Sequence, residues 1–228
     1  MSSTSCTVCM SPTVCILLLW AGFAATHIGL STLPVRNRIV ARIGEAPFRG
    51  LYSLVAFAFF VPLVSTFLAH KPGGTWLWIA QRGTALRWTM YSGVGVAFVL
   101  LVASFVSPSP ASLIPGDATP RGAYRITRHP FAMALAIFGL LHLVPPGRSS
   151  PEVAFCAGLV AFSVIAGWHQ DQRKLASGVP GFRAFLDATP FFPFTRRESL
   201  RGVRELSPTI IALGIGATVL ARYLEFGD

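Results

Sequence analysis

The chain has 228 residues, of which 53% are hydrophobic and 12% charged. A soluble domain carries about 25% charged residues, so the composition excludes an ordinary soluble fold and points to a lipid bilayer. Its 19 basic residues outnumber 9 acidic ones, for a net charge of +10, an excess that in so apolar a chain selects an anionic lipid surface and not nucleic acid.

A helix needs about 20 mostly apolar residues to cross a bilayer. Six runs qualify: 14–30, 51–68, 90–106, 131–144, 153–168 and 210–224. The fourth is short and borrows residues from its flanks. Only helices and closed barrels satisfy their backbone in lipid, and these runs are too long and continuous for barrel strands. The expected fold is therefore all-α: a polytopic membrane helix bundle of about six transmembrane helices, one integral membrane domain over 1–228.

The first run lacks the basic start of a signal peptide, since the first basic residue is Arg36. The Arg-rich character of an organellar transit peptide is also missing. The expected location is a bacterial plasma membrane. The loops after the first, third and fifth runs hold 14 of the basic residues, against 5 on the opposite side. The positive-inside rule then puts both termini outside and the Arg-rich loops in the cytoplasm. Ser107, Pro108, Ser109 and Pro110 mark the end of the third run.

Residues 169–207 follow the fifth run. Phe182, Phe185, Phe191, Phe192 and Phe194 stud this stretch, and Leu200, Val203 and Leu206 recur at helical spacing among Arg196, Arg197, Arg201 and Arg204. That pattern reads as an interfacial cytoplasmic segment on anionic headgroups.

Five histidines carry most of the candidate chemistry: His27, His70, His129, His142 and His169. Ionisable side chains inside a membrane are costly and mark function. His27 lies in the first run and His142 in the fourth. No Asp, Glu, Lys or Arg lies deep in any run, which argues against a carboxylate proton path. One, two and three turns back from His142 stand Gly139, Ala136 and Ala132, a small-residue face that admits another helix or a flat macrocycle. Neutral imidazole is a common haem ligand; the competing reading is a hydrogen bond to a neighbouring helix. His129 follows Arg128 and precedes Pro130, a residue suited to the first position of a helix. His129 therefore caps the fourth run at the surface, where Arg128 can reach a phosphate or carboxylate or merely snorkel. Cys6 and Cys9 form a Cys-x-x-Cys without the His of a c-type haem site, and four cysteines without paired motifs argue against zinc.

Several stretches together resemble the NnrU family of membrane proteins. They are His27-Ile-Gly-Leu-Ser-Thr-Leu33, Ile43-Gly-Glu-Ala-Pro-Phe-Arg49 with Leu51-Tyr-Ser53, and Arg125-Ile-Thr-Arg-His-Pro130 followed by Gly139-Leu-Leu-His142. Trp168-His-Gln-Asp-Gln-Arg-Lys-Leu175 and Pro190-Phe-Phe-Pro-Phe194 complete the set. The family's plant-type members are haem b proteins that convert a central cis double bond of zeta-carotene to trans. The resemblance implies haem b held by His27 and His142, with iron as the metal, and an apolar polyene as substrate. His70 and His129 match two further histidines of the pattern, and Gly139 stands where those members have a Cys. Depth sets a competing pairing: His142 comes about 18 Å along the helix from Pro130, so His129 is the better mate for His27 by depth alone.

Two other functions remain open at this stage. One is a non-enzymatic haem protein that supports nitric oxide metabolism, as bacterial relatives suggest. The other is an S-adenosylmethionine-dependent methyltransferase resembling the isoprenylcysteine enzymes, which share an Arg-His-Pro at a helix start. Here Phe131-Ala132 follows Pro130 in place of the expected Tyr and Gly, and only Asp171 is acidic where paired glutamates are expected.

Overall fold

Caps and breakers set the helix ends. The computed structural model describes residues 11–71, 73–78, 83–106, 119–143 and 148–226. Helix α1 spans Pro12–Ser31; Pro12 occupies its first turn and the Ser11 hydroxyl accepts from the Val14 amide. Extended Thr32 ends it, and α2 follows over Leu33–Ile43. Gly44 then adopts φ +86°, open to glycine but not to side-chain-bearing residues. That turn delivers the chain into α3, Glu45–His70. Strand β1 (Trp76–Trp78) pairs antiparallel with β2 (Arg148–Ser149). The remaining helices are α4 (Thr84–Val106), α5 (Ala123–Ile126), α6 (Pro130–Leu143), α7 (Ser150–Ala176), α8 (Phe182–Ala188), α9 (Glu198–Arg204) and α10 (Pro208–Phe226).

All six apolar runs of the sequence are helical, as α1, α3, α4, α6, α7 and α10, and the fold is the expected all-α membrane type. A count of six spans is not confirmed among the described residues. Four helices, α1, α3, α4 and α7, are long and apolar enough to span by length and composition; α9 and α10 add a fifth if their 88° bend breaks one span. Helix α6 has 14 residues, a rise of about 21 Å against a hydrocarbon core of about 30 Å.

The fifth apolar run ends at Trp168 and α7 continues two turns beyond it to Ala176, because backbone hydrogen bonds do not stop where charge begins. The loop after the first run contains the unforeseen α2. Cys6, Cys9, Arg82, Ser107 to Pro110 and Val144 lie outside the described residues.

The described residues divide into two compact units, one from 1–81 and 143–162, the other from 82–142 and 163–228. In the first, α1 packs on α3, with Phe23 5.7 Å from Phe60, and both helices meet rings of α7. Trp20 meets Phe23, Phe155 and Phe162 at 5.8–6.0 Å between centroids, and Phe67 stacks on Phe155 at 4.1 Å. A Cβ on Gly158 would lie 2.3 Å from the Trp20 indole nitrogen, so only glycine admits this approach. The outer face of α3 shows Leu54, Phe57, Val61 and Leu68, apolar surface that lipid tails match.

In the second unit, α4 packs on α10, with Val99 against Gly214. Leu100, Ala103, Ile126, Ala134 and Ile210 form the core between them. The stretch 169–207 does not behave as one surface segment. Phe182 and Phe185 are fully buried against Tyr124 and Leu175, and Phe191 is half-buried. Of the five phenylalanines, Phe192 and Phe194 remain exposed, as do Leu200 and Val203. The physical reason is α8, whose aromatic residues complete a core with Tyr124.

Candidate functional site

His27 projects from the fifth turn of α1 into a ring of aromatics in the first unit. Its imidazole lies 4.7 Å from Tyr52, 5.2 Å from Phe23 and 5.3 Å from Phe162, centroid to centroid. The Tyr52 hydroxyl donates to the His27 carbonyl at 3.2 Å, tying α3 to α1 at this level. Rings on three sides make a dry, polarisable cage.

His142 occupies the last turn of α6, in the second unit. Its Nδ1 lies 2.7 Å from the Phe138 carbonyl one turn back, and its ring rests on Phe138 at 4.1 Å. A carbonyl only accepts, so Nδ1 carries the proton and Nε2 keeps the lone pair in the neutral ring. Metal-ligating imidazoles are commonly fixed this way. Of the small face expected below it, Gly139 and Ala136 are buried and Ala132 half-buried. His70 repeats the arrangement at the end of α3, with Nδ1 2.9 Å from the Thr66 carbonyl, but on an exposed turn.

Arg128 and His129 come together on one carboxylate. Arg128 Nε donates to Asp171 Oδ2 at 2.7 Å, and His129 Nε2 donates to Asp171 Oδ1 at 2.8 Å. His129 is 4% exposed and Asp171 3%. Arg128 Nη1 also donates to the Thr189 carbonyl at 3.0 Å, its amide to the Pro190 carbonyl at 2.8 Å, and its guanidinium lies 5.0 Å from the Phe191 ring. Gly167 lets this cluster close on α7: a Cβ there would sit 3.4 Å from the His129 ring. The Thr127 hydroxyl adds a bond to the Phe191 carbonyl and accepts from the His129 amide. A buried charge is tolerated when it is paired and hydrogen-bonded, and every partner here does both. The carboxylate that Arg128 reaches is therefore the chain's own.

Asp171 is the site residue that sequence reasoning passed over, noted there only as an isolated acid. The available signal was its uniqueness: one carboxylate among the basic and amide side chains of 169–174, beside an Arg-His pair with no other stated partner. Among the described residues, no three His, Cys, Asp or Glu side chains converge as a metal site of their own.

A second polar cluster fastens α9. Glu205 accepts from the Gly122 amide and from Arg125 and Arg201, each at 2.9 Å. Burial pushes its carboxyl up, but the Gly122 amide and the two arginines outweigh that and hold it below the usual carboxylate range. A third joins Arg36 and Arg49 to Glu45 at the start of α3, where a negative charge complements the helix dipole.

The model of one protein family, described as NnrU protein, matches residues 15–224. Two curated relatives carry the name 15-cis-zeta-carotene isomerase, chloroplastic. The one from Zea mays is 28% identical over 189 residues, 79% of this chain and 50% of that protein. The one from Arabidopsis thaliana is 29% identical over 198 residues, 81% of this chain and 50% of that protein. The chain thus spans about half the length of these relatives. No solved structure matches.

Proposed function

This chain belongs to the NnrU family, and we propose that it is a haem b enzyme that isomerises a cis double bond of zeta-carotene or a related polyene within the membrane. The observation that carries the reading is the similarity of 79% and 81% of the chain to two plant proteins named for that reaction. His27 and His142 are the residues that would hold the haem.

The residues present fit a haem. His142 has its Nδ1 proton held by the Phe138 carbonyl, the arrangement that would leave Nε2 as the nitrogen to hold a metal. His27 stands in an aromatic cage suited to the face of a macrocycle. Bound haem would supply a redox-active iron able to lower the order of one polyene double bond so that it rotates. The chain's own part is positional. Tyr52 steadies the backbone that carries His27. The Arg128, His129 and Asp171 cluster anchors the start of the helix that carries His142. The apolar spans exclude water and dissolve a hydrocarbon. His129, with its Nε2 engaged by Asp171, acts in this reading as a positioning residue. The reading also places the Arg-rich loops on the cytoplasmic side of a bacterial plasma membrane with both termini outside, by the loop charge bias.

The test is expression in a bacterial host that accumulates 15-cis zeta-carotene, with pigments separated by chromatography. Conversion to the 15-trans isomer that is lost in His27→Ala and His142→Ala is the expected result. Purified protein that binds haem but leaves the pigment unchanged would assign a non-catalytic haem role. Protein that takes up no haem when supplied with it would overturn the cofactor reading.

A further inference from the structure

One face of α4 borders an apolar cavity of about 460 Å³, within the size range of small-molecule sites. Trp88, Ser92, Gly95 and Val99 form one wall, and Ile211, Ile215 and Val219 of α10 the other. From Trp88 to Leu100 the wall covers 12 residues of helix, about 18 Å. The cavity is therefore a long trough, shaped for a chain and not for a compact ring. Of its polar groups, the Thr218 hydroxyl is bonded to the Gly214 carbonyl.

One end of the trough is closed by α9. Val203 and Leu206 line it, and Leu206 packs on the cluster of Leu100, Ile126 and Ile210. Helix α9 lies at 88° to α10, as a helix lying in the interface would lie to one that crosses the bilayer. Its inner face is fixed: a Cβ on Gly202 would come 2.6 Å from the Gly122 carbonyl, Ser199 donates to the Arg125 carbonyl at 3.2 Å, and Glu205 bonds Arg125. That anchoring turns Arg197 and Arg204, seven residues apart on one helical face, to the surface. Neither makes an ion pair among the described residues. Val203, which lines the trough, directly precedes Arg204.

We propose that the trough seats one acyl chain of an anionic phospholipid, with the lipid phosphate on Arg204 and Arg197 at the α9 end. The walls alone would also suit a polyene, but a hydrocarbon has no charge to complement the two arginines. A phospholipid complements both features, and the trough runs along α4 and α10 as an acyl chain runs between headgroup and midplane. The proposal needs neither haem nor isomerase activity.

Native mass spectrometry of the full chain in detergent tests it, with dioleoyl phosphatidylglycerol or dioleoyl phosphatidylcholine added at equal concentration. Phosphatidylglycerol should be retained more strongly, by about fivefold for each arginine engaged. Arg197→Gln with Arg204→Gln should abolish that preference while some binding of both lipids persists. Gly95→Leu should reduce both, because a Cβ at Gly95 starts in open contact, 3.8 Å from Thr218, and points into the trough. If that variant does not fold, Ile215→Trp, at an exposed position of the opposite wall, replaces it. Equal retention of the two lipids by the unaltered protein would overturn the proposal. So would undiminished phosphatidylglycerol in a folded trough-filling variant. Displacement of the lipid by an uncharged carotene, one for one, would reassign the trough to the polyene.

Discussion

The surroundings of His27 and of His129 solve the same problem by opposite means. Around His27, rings from α1, α3 and α7 stand on three sides of the imidazole. Around His129, the imidazole and one carboxylate are buried together beside the half-buried Arg128 guanidinium, whose Nη1 donates to a backbone carbonyl. Dispersion and shape hold the first; charge pairing and hydrogen bonds hold the second. The difference separates a histidine tied into an ionic clasp from one left in an apolar setting suited to a flat ligand. His142 sides with His27: its Nδ1 is oriented by a carbonyl and not by a carboxylate.

The clasp is the place where the contrast can be broken most severely. Asp171→Ala leaves Arg128 buried without its counterion, and removal of one partner of a buried pair costs about 3–5 kcal/mol. Thermal unfolding in detergent should show a large fall or no folded protein, with Asp171→Asn falling less because it keeps one acceptor. A thermal midpoint equal to that of the unaltered protein would show that the cluster does not stabilise the start of α6. On the aromatic side, Gly158→Ala drives a methyl into the Trp20 indole and should cost about 1–3 kcal/mol by overpacking. The same unfolding measurement reads it, and Gly29→Ala, where nothing stands within 4 Å, is the neutral control.

Tyr52→Phe removes one hydrogen bond to the His27 carbonyl and keeps the ring. The expected loss is about 0.5–1.5 kcal/mol, with little change in the visible spectrum of bound haem. A spectrum that moves more than the stability does would mean that Tyr52 acts on the ligand itself. The smallest effect belongs to Glu205. Its folded value is lowered by Gly122, Arg125 and Arg201 against the opposing effect of burial, so its stabilisation is present above the unfolded carboxylate range and fades as pH falls through the folded value. Melting curves of the unaltered protein and of Glu205→Gln should differ at neutral pH and converge in acid. Curves that stay equally far apart down to acid pH would remove this carboxyl as the cause.

The transmembrane architecture was readable because apolar runs are local signals, and each of the six runs is helical. What failed to show was anything set by distant partners. Asp171 meets Arg128 across 43 residues and Glu205 meets Arg125 across 80, separations that no periodicity marks. Phe182 and Phe185 read as surface aromatics because their cover, Tyr124, lies nearly 60 residues earlier. The last turns of α7 are polar in sequence, yet their carboxylate Asp171 is buried by Arg128 and His129, which directly precede α6. His27 and His142 were legible as imidazoles within apolar helices. The carbonyl that fixes the His142 tautomer belongs to its own helix four residues back, a bond that helical spacing allows but does not announce.

The most direct test of the account is the visible spectrum of purified, haem-supplied protein, oxidised and dithionite-reduced, compared for the His142→Ala and His129→Ala variants. The account predicts that His142→Ala changes or loses the haem spectrum in a protein that still folds. It predicts that His129→Ala lowers the melting temperature while the folded fraction keeps the parent spectrum. Parent absorption in His142→Ala, together with a lost or shifted spectrum in folded His129→Ala, would contradict it and make His129 the ligand.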